Sequence, residues 1–151
     1  MPAYEPWNVE RANALIAEMV AAGEITAEER GRMLLLSYPR RRSEVLAPFA
    51  ESGRFGGLLL EQSEIFQVPD AAWGEYERDR DKGKLAANYA GFFRATFMPS
   101  LASALAPERG AESRRRFIDR LAEGLKRQLT EEPAPLSLQA QTIVIAKEGE
   151  A

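Results

Sequence analysis

The 151-residue chain is 45% hydrophobic and 28% charged, which suffices for one buried core. It has no cysteine and no histidine, which excludes disulfides, thiolate nucleophiles, thiolate or imidazole zinc sites and histidine-based acid–base catalysis. The net charge of −3 disfavours nucleic acid as a partner, and neither a secretory leader nor an apolar run near the roughly 20 residues of a membrane span is visible. We therefore expect a cytoplasmic protein of one domain, residues 1–151, with no nucleic-acid or membrane partner.

A helical cap is predicted over residues 8–53, and its first helix spans 9–22. Asn8 can cap this helix, and Gly23 ends it where a left-handed residue is favoured. The apolar side chains recur at helical spacing and predict one buried face: Val9, Ala12, Leu15, Ile16, Met19 and Val20.

Two shorter helices complete the predicted cap. Thr26 and Glu29 have the spacing of a capping box and begin the second helix, which ends before Pro39. Ser43 is predicted to cap the third helix, which Pro48 kinks and Gly53 terminates.

The rest of the chain alternates between strand and helix patterns. A strand is predicted over 55–68, with a break near Gln62, and then a mobile polar loop over 69–83. Helices follow within 84–129, where Pro99 bends the first, and a last strand spans 138–147. The pattern predicts an α+β fold, mostly helical, with a two-stranded antiparallel sheet. Because two strands alone are marginally stable in water, this sheet needs to be completed, and dimerisation is one way to do so.

Several short motifs, taken in order, resemble the SABATH family of S-adenosylmethionine-dependent carboxyl methyltransferases. The resemblance covers about Val9 to Lys147, and Met98 stands where the family has an acidic residue. The matching segments are Met19-Val20-Ala21-Ala22-Gly23, Ile25, Glu28-Glu29, Tyr38-Pro39, Glu44-Val45, Gly53, Phe55, Glu61, Ser63-Glu64-Ile65-Phe66, Arg94-Ala95, Pro99 and Ile143-Val144-Ile145-Ala146-Lys147.

The resemblance implies that this chain corresponds to the C-terminal part of a Rossmann-like methyltransferase, namely its helical cap and last two strands. The donor site of such a protein needs a strand, a glycine-rich turn and a helix. Here Gly53, Gly56 and Gly57 lie between a helix and a following strand, the reverse order. We therefore expect no cofactor in this chain alone, although S-adenosylmethionine serves the full-length family.

The resemblance also points to residues that line the acceptor pocket. Tyr38 and Phe93 match family pocket positions, Trp7 lies about two residues from a pocket tryptophan, and Tyr89 is a fourth substrate-binding candidate. An aromatic residue on an apolar helix face is also typical of a core. No residue is expected to act as a catalytic acid or base, because a carboxylate acceptor is already ionised and needs alignment more than proton transfer.

Three functions remain open from the sequence, and the third of them is a helical interaction protein that binds no ligand. The first is the C-terminal region of a methyltransferase acting on a small carboxylic acid, inactive without the missing Rossmann portion. The second is a non-catalytic dimeric module derived from the cap, which binds a small molecule or a protein. In that case the open strand edges would pair with a second copy. The arginine runs 40–42 and 114–116 are interpreted as solvated surfaces.

Overall fold

The computed structural model describes residues 7–34 and 40–147, with Trp7 and Asn8 described as backbone only. Its helices are α1 (Trp7–Ala21), α2 (Ala27–Arg32), α3 (Arg42–Leu46), α4 (Ala71–Asp79), α5 (Lys82–Thr96), α6 (Met98–Ser103) and α7 (Ala111–Glu131), with a 3₁₀ turn at Ala47–Phe49. Its strands are β1 (Arg54–Phe55), β2 (Leu58–Val68) and β3 (Leu138–Lys147). The fold is α+β, as expected. The sheet has three antiparallel strands rather than the two we predicted.

The chain divides into two compact units, and the single domain expected from the sequence stays a prediction. The helical unit contains residues 7–34 and 70–136, and the sheet unit contains residues 40–69 and 137–147. The predicted cap, 8–53, is therefore shared between them. The division follows from the contacts, because α1 and α5 pack against α7 whereas β2 pairs with β3. None of the helices in these ranges is long and apolar enough to cross a membrane.

The helical unit is organised around α7. The buried side chains of this helix recur at helical spacing, and those of α1 and α5 pack against them. Its core contains Ala12, Leu15, Ile16, Met19, Leu85, Ala86, Tyr89, Phe93, Met98, Leu101, Leu105, Phe117, Leu121, Leu125 and Leu129. The stripe predicted for α1 is thus largely confirmed, and Gly23, with φ of 73°, follows the end of that helix.

The prediction of a mobile loop over 69–83 is wrong, because helix α4 lies within these residues. Asp70 caps this helix by accepting the backbone N–H of Trp73 at 3.0 Å. Trp73 and Tyr76, three residues apart, pack against the core of the helical unit. Arg80 ends α4 in the left-handed region, with φ of 58°. Because most residues of this segment are charged, its short apolar face is difficult to recognise in the sequence.

The helix predicted around Pro99 is two helices. Helix α5 ends at Thr96, and α6 begins at Met98 with Pro99 in its first turn, where the missing N–H group of proline costs nothing. The third helix also differs, since α3 begins at Arg42 instead of after Ser43.

In the sheet unit, β2 and β3 form a long antiparallel ribbon, from the pair Val68–Leu138 to the pair Leu58–Lys147. Its register shifts between Leu60 and Gln62, close to the predicted break. Strand β1 joins β2 through a two-residue turn, Gly56-Gly57, in which both residues have positive φ. This geometry is typical of a tight hairpin.

Candidate functional site

Tyr89 and Phe93 lie one turn apart on α5 and are both in the core of the helical unit. Their exposed fractions are 3% and 1%, and the Phe93 ring lies 5.0 Å from that of Phe97. Their predicted role in acceptor binding is thus not evident from their surroundings, and both act as core residues in this structure. Tyr38 lies outside the described residues, and so does the side chain of Trp7. For these four residues, acceptor binding stays a prediction.

The hydroxyl of Tyr89 donates a hydrogen bond to the carboxylate of Asp70. The same carboxylate accepts the backbone N–H groups of Trp73 at 3.0 Å and Leu136 at 2.9 Å. Burial and the neighbouring Asp70 raise the pKa of Tyr89 above its ordinary value. Asp70 therefore links α4, α5 and the segment that follows α7.

The buried carboxylate of Glu29 forms the main polar cluster of the helical unit. Its oxygens accept Arg109 Nε at 2.6 Å, Arg109 Nη2 at 2.9 Å and the backbone N–H groups of Ala106 at 2.9 Å and Thr26 at 2.8 Å. Burial alone would raise the pKa of Glu29, but the two backbone donors and the guanidinium outweigh it and lower the pKa to about 2. The capping box of Thr26 and Glu29 is confirmed.

A cavity of about 290 Å³ lies next to this cluster. Its polar lining residues are two arginines, a serine and the acidic Glu24, and Arg116 Nη2 lies 3.5 Å from Ser113 Oγ. The other lining residues are apolar, so the cavity offers guanidinium groups for a negative charge together with contacts for a small hydrophobic group. The lining residues are Met19, Glu24, Ile25, Leu105, Arg109, Ser113, Arg116 and Phe117.

This cavity was not found by sequence reasoning. The run 114–116 was interpreted as a solvated surface, but its three members differ. Arg114 donates to the backbone carbonyls of Leu105 and Ala106 at 3.3 and 3.2 Å, and Arg116 lines the cavity. Arg115 and Arg116 are both exposed, as expected, and Arg115 pairs with Glu112 whereas Arg114 is half-buried. Helical spacing in the sequence could have separated them, because residues 114 and 116 point about 200° apart on α7.

The β2–β3 ribbon exposes large apolar side chains on both of its faces. The register places Phe66, Leu138 and Val144 on one face and Ile65, Ile143 and Ile145 on the other. Each of these six side chains is between 37% and 46% exposed. The ribbon thus differs from a strand pair with one polar face, and it offers apolar surface in two directions.

The glycines of the sheet unit do not form a donor cradle. Gly56 and Gly57 make the hairpin turn between two strands, and Gly53 precedes the first of them. A nucleotide-like donor needs a turn that leads from a strand into a helix, so these residues do not fit S-adenosylmethionine. Within the described part of the chain, no group of three or more acidic side chains is placed to hold a metal ion.

No protein-family model matches the sequence, and no curated protein matches it.

Proposed function

We propose that this chain is the acceptor-binding, C-terminal region of a carboxyl methyltransferase-like protein of the cytoplasm. It binds a small carboxylic acid and needs a separate part to bind S-adenosylmethionine. The observation that carries the proposal is the ribbon, in which six large apolar side chains are divided equally between two faces. Strands with apolar residues on both faces are typical of mostly parallel α/β sheets that helices cover on each side, and such sheets often carry antiparallel strands at an edge. The order of the resembling motifs supports the same assignment.

The cavity beside Arg109 supports a carboxylic acid as the acceptor. Arg109 already uses three of its N–H groups on Glu29 and on the backbone carbonyl of Glu24, which fixes its position. Arg116, whose contact with Ser113 is long, has a guanidinium suited to bind a carboxylate. Phe117 and Leu105 would contact the apolar part of the acceptor.

The chain contributes binding and orientation to the proposed reaction. A carboxylate acceptor is ionised at neutral pH, so it requires alignment and exclusion of water but no general base. This requirement is compatible with a chain that contains no histidine.

Titration calorimetry with the purified chain tests the proposal. S-adenosylmethionine alone should give no saturable heat, and tight binding of this donor would contradict the missing-donor assignment. Sodium benzoate should bind, and R116Q should weaken that binding by at least about tenfold through loss of a charge-assisted hydrogen bond. The matched control is R115Q, which changes the neighbouring exposed arginine and should leave benzoate binding unchanged.

A second candidate is a non-catalytic small-molecule-binding module. The cavity favours it, because residues of the helical unit alone form the lining. This alternative and the first proposal agree on benzoate binding. They differ when a donor-binding Rossmann domain is added, since only the first proposal expects transfer of a methyl group to the acid.

A further inference from the structure

Within residues 7–34 and 40–147, β3 is an edge strand that lacks the features that usually prevent edge pairing. The sheet order is β1-β2-β3, so β2 occupies one side of β3. From Leu138 to Ala146, nine consecutive residues carry neither a charge nor a proline. Edge strands of monomeric proteins are commonly protected by lysine, proline or a bulge, because unpaired backbone groups are templates for another strand.

The outer edge of β2 has several of these protections. Strand β1 pairs with Leu58 and Leu59, which covers one end of that edge. The register shift between Leu60 and Gln62 distorts the strand next to it, and Glu61 and Glu64 add negative charge. The two edges of the same ribbon therefore differ, and among the described strands β3 has the less protected edge.

We propose that β3 pairs with β3 of a second copy, antiparallel and about a two-fold axis at Thr142. Such pairing brings no like charges together, because the one charged residue of the strand, Lys147, faces the Leu138 end of the other copy. The apolar stripes of the two ribbons become continuous on each face of the joined sheet.

The edge chemistry selects a closed dimer. A β3 strand that paired with β2 of another copy would leave a β3 edge free and would extend into a filament. The protected β2 edge opposes that arrangement, whereas pairing of β3 with itself uses up both open edges. This dimer goes beyond the proposed function and rests on the two sheet edges, not on the cavity.

Size-exclusion chromatography with light scattering tests the dimer. The wild-type chain should have twice the mass of one chain. T142K should be monomeric, because the introduced charges meet near the two-fold axis, while within each ribbon the new lysine faces Glu64. The double variant E64K/T142E reverses that pair and should also be monomeric. An equimolar mixture of the two should recover a dimer, since opposite charges then meet.

Q62K provides the matched control. Gln62 and Thr142 share one face of the ribbon, but Gln62 lies on β2, so Q62K should stay dimeric. Far-ultraviolet circular dichroism checks that each variant is folded. A monomeric wild type, assemblies larger than two chains, or loss of the dimer in Q62K but not in T142K would each overturn the proposal.

Discussion

The guanidinium of Arg109 binds both carboxylate oxygens of Glu29, although the two residues are 80 positions apart in the sequence. Glu29 is 2% exposed, and the Arg109 side chain is about one third exposed. A buried carboxylate with this many donors is held in its ionised form, and removal of either partner leaves a charge without compensation. The pair thereby fixes the segment between α6 and α7 against α2.

Replacement of this carboxylate should be costly and dependent on pH. E29Q should lower the free energy of unfolding by about 3 kcal/mol at pH 7. Because the folded pKa of about 2 lies below the unfolded value near 4.5, the contribution is present above about pH 5 and is lost as the pH falls towards 2. Urea denaturation at several pH values measures this. The difference in the free energy of unfolding between wild type and E29Q should become smaller in acid.

The neighbouring Glu28 is the control for this prediction. It forms an exposed pair with Arg32, so E28Q should cost less than about 0.5 kcal/mol at any pH. A similar loss of stability in the two variants would show that burial of Glu29 does not matter.

Y89F should destabilise the helical unit by about 1–2 kcal/mol, because Asp70 loses one of its three donors. The raised pKa of Tyr89 adds stability that is fully present below about pH 10 and is lost as the pH rises further. Thermal denaturation at pH 7 measures the first effect. Y76F keeps the ring that packs 5.0 Å from Trp73 and should cost less than about 0.5 kcal/mol. Equal losses in Y89F and Y76F would argue against the hydrogen bond.

G124A should destabilise the contact between α1 and α7. A Cβ atom at Gly124 would lie 2.7 Å from Leu15 Cδ2, which forces a buried side chain to move. Replacing a helical glycine by alanine would by itself stabilise the helix by about 1 kcal/mol. Because the overpacking costs more, we expect the free energy of unfolding to fall by about 1–2 kcal/mol. Melting temperatures measure this. G91A, exposed on α5 with no atom within 4 Å of the new methyl group, should stabilise by about 0.5–1 kcal/mol. A higher melting temperature in both variants would disprove the close packing of Gly124 against Leu15.

G57A should weaken the β1–β2 hairpin by about 1 kcal/mol, because Gly57 has φ of 78° and L-residues disfavour this region. G56N is the matched substitution, since asparagine is favoured at the first position of such turns and should be tolerated. Hydrogen exchange of the β2 amides reports on the hairpin directly. Faster exchange in G56N than in G57A would rule out this turn geometry.

Local signals in the sequence predicted much of the fold. The capping box of Thr26 and Glu29, the glycine after α1 and the bounds of β3 all depend on residues close together in the chain. Helix α4 was missed because Trp73 and Tyr76 make a short apolar face among charges, and the core they pack against is formed by distant segments. Periodicity cannot reveal a partner that lies elsewhere in the sequence.

The candidate site was much less predictable. Nothing near Glu29 indicates that it binds Arg109, because two residues so far apart meet only when α6 and α7 have packed. The aromatic residues that match the family motifs are visible in the sequence, but their role is ambiguous. Tyr89 and Phe93 occupy an apolar helix face, and that pattern is shared by pockets and cores. Their burial in the helical unit indicates a role in packing.

The ladder between β2 and β3 also constrains the order in which the molecule assembles. Every pair in this ladder joins a residue before position 70 to a residue after position 136. While the segment 70–136 is unfolded, forming such a pair closes a long loop and costs much conformational entropy. The hydrogen bond between Asp70 and Leu136 brings the two ends of the segment together. One residue then separates each end from the first ladder pair, Val68 with Leu138. We expect the helices to fold early and the ribbon to form late, so that β3 is exposed to aggregation for longest during refolding.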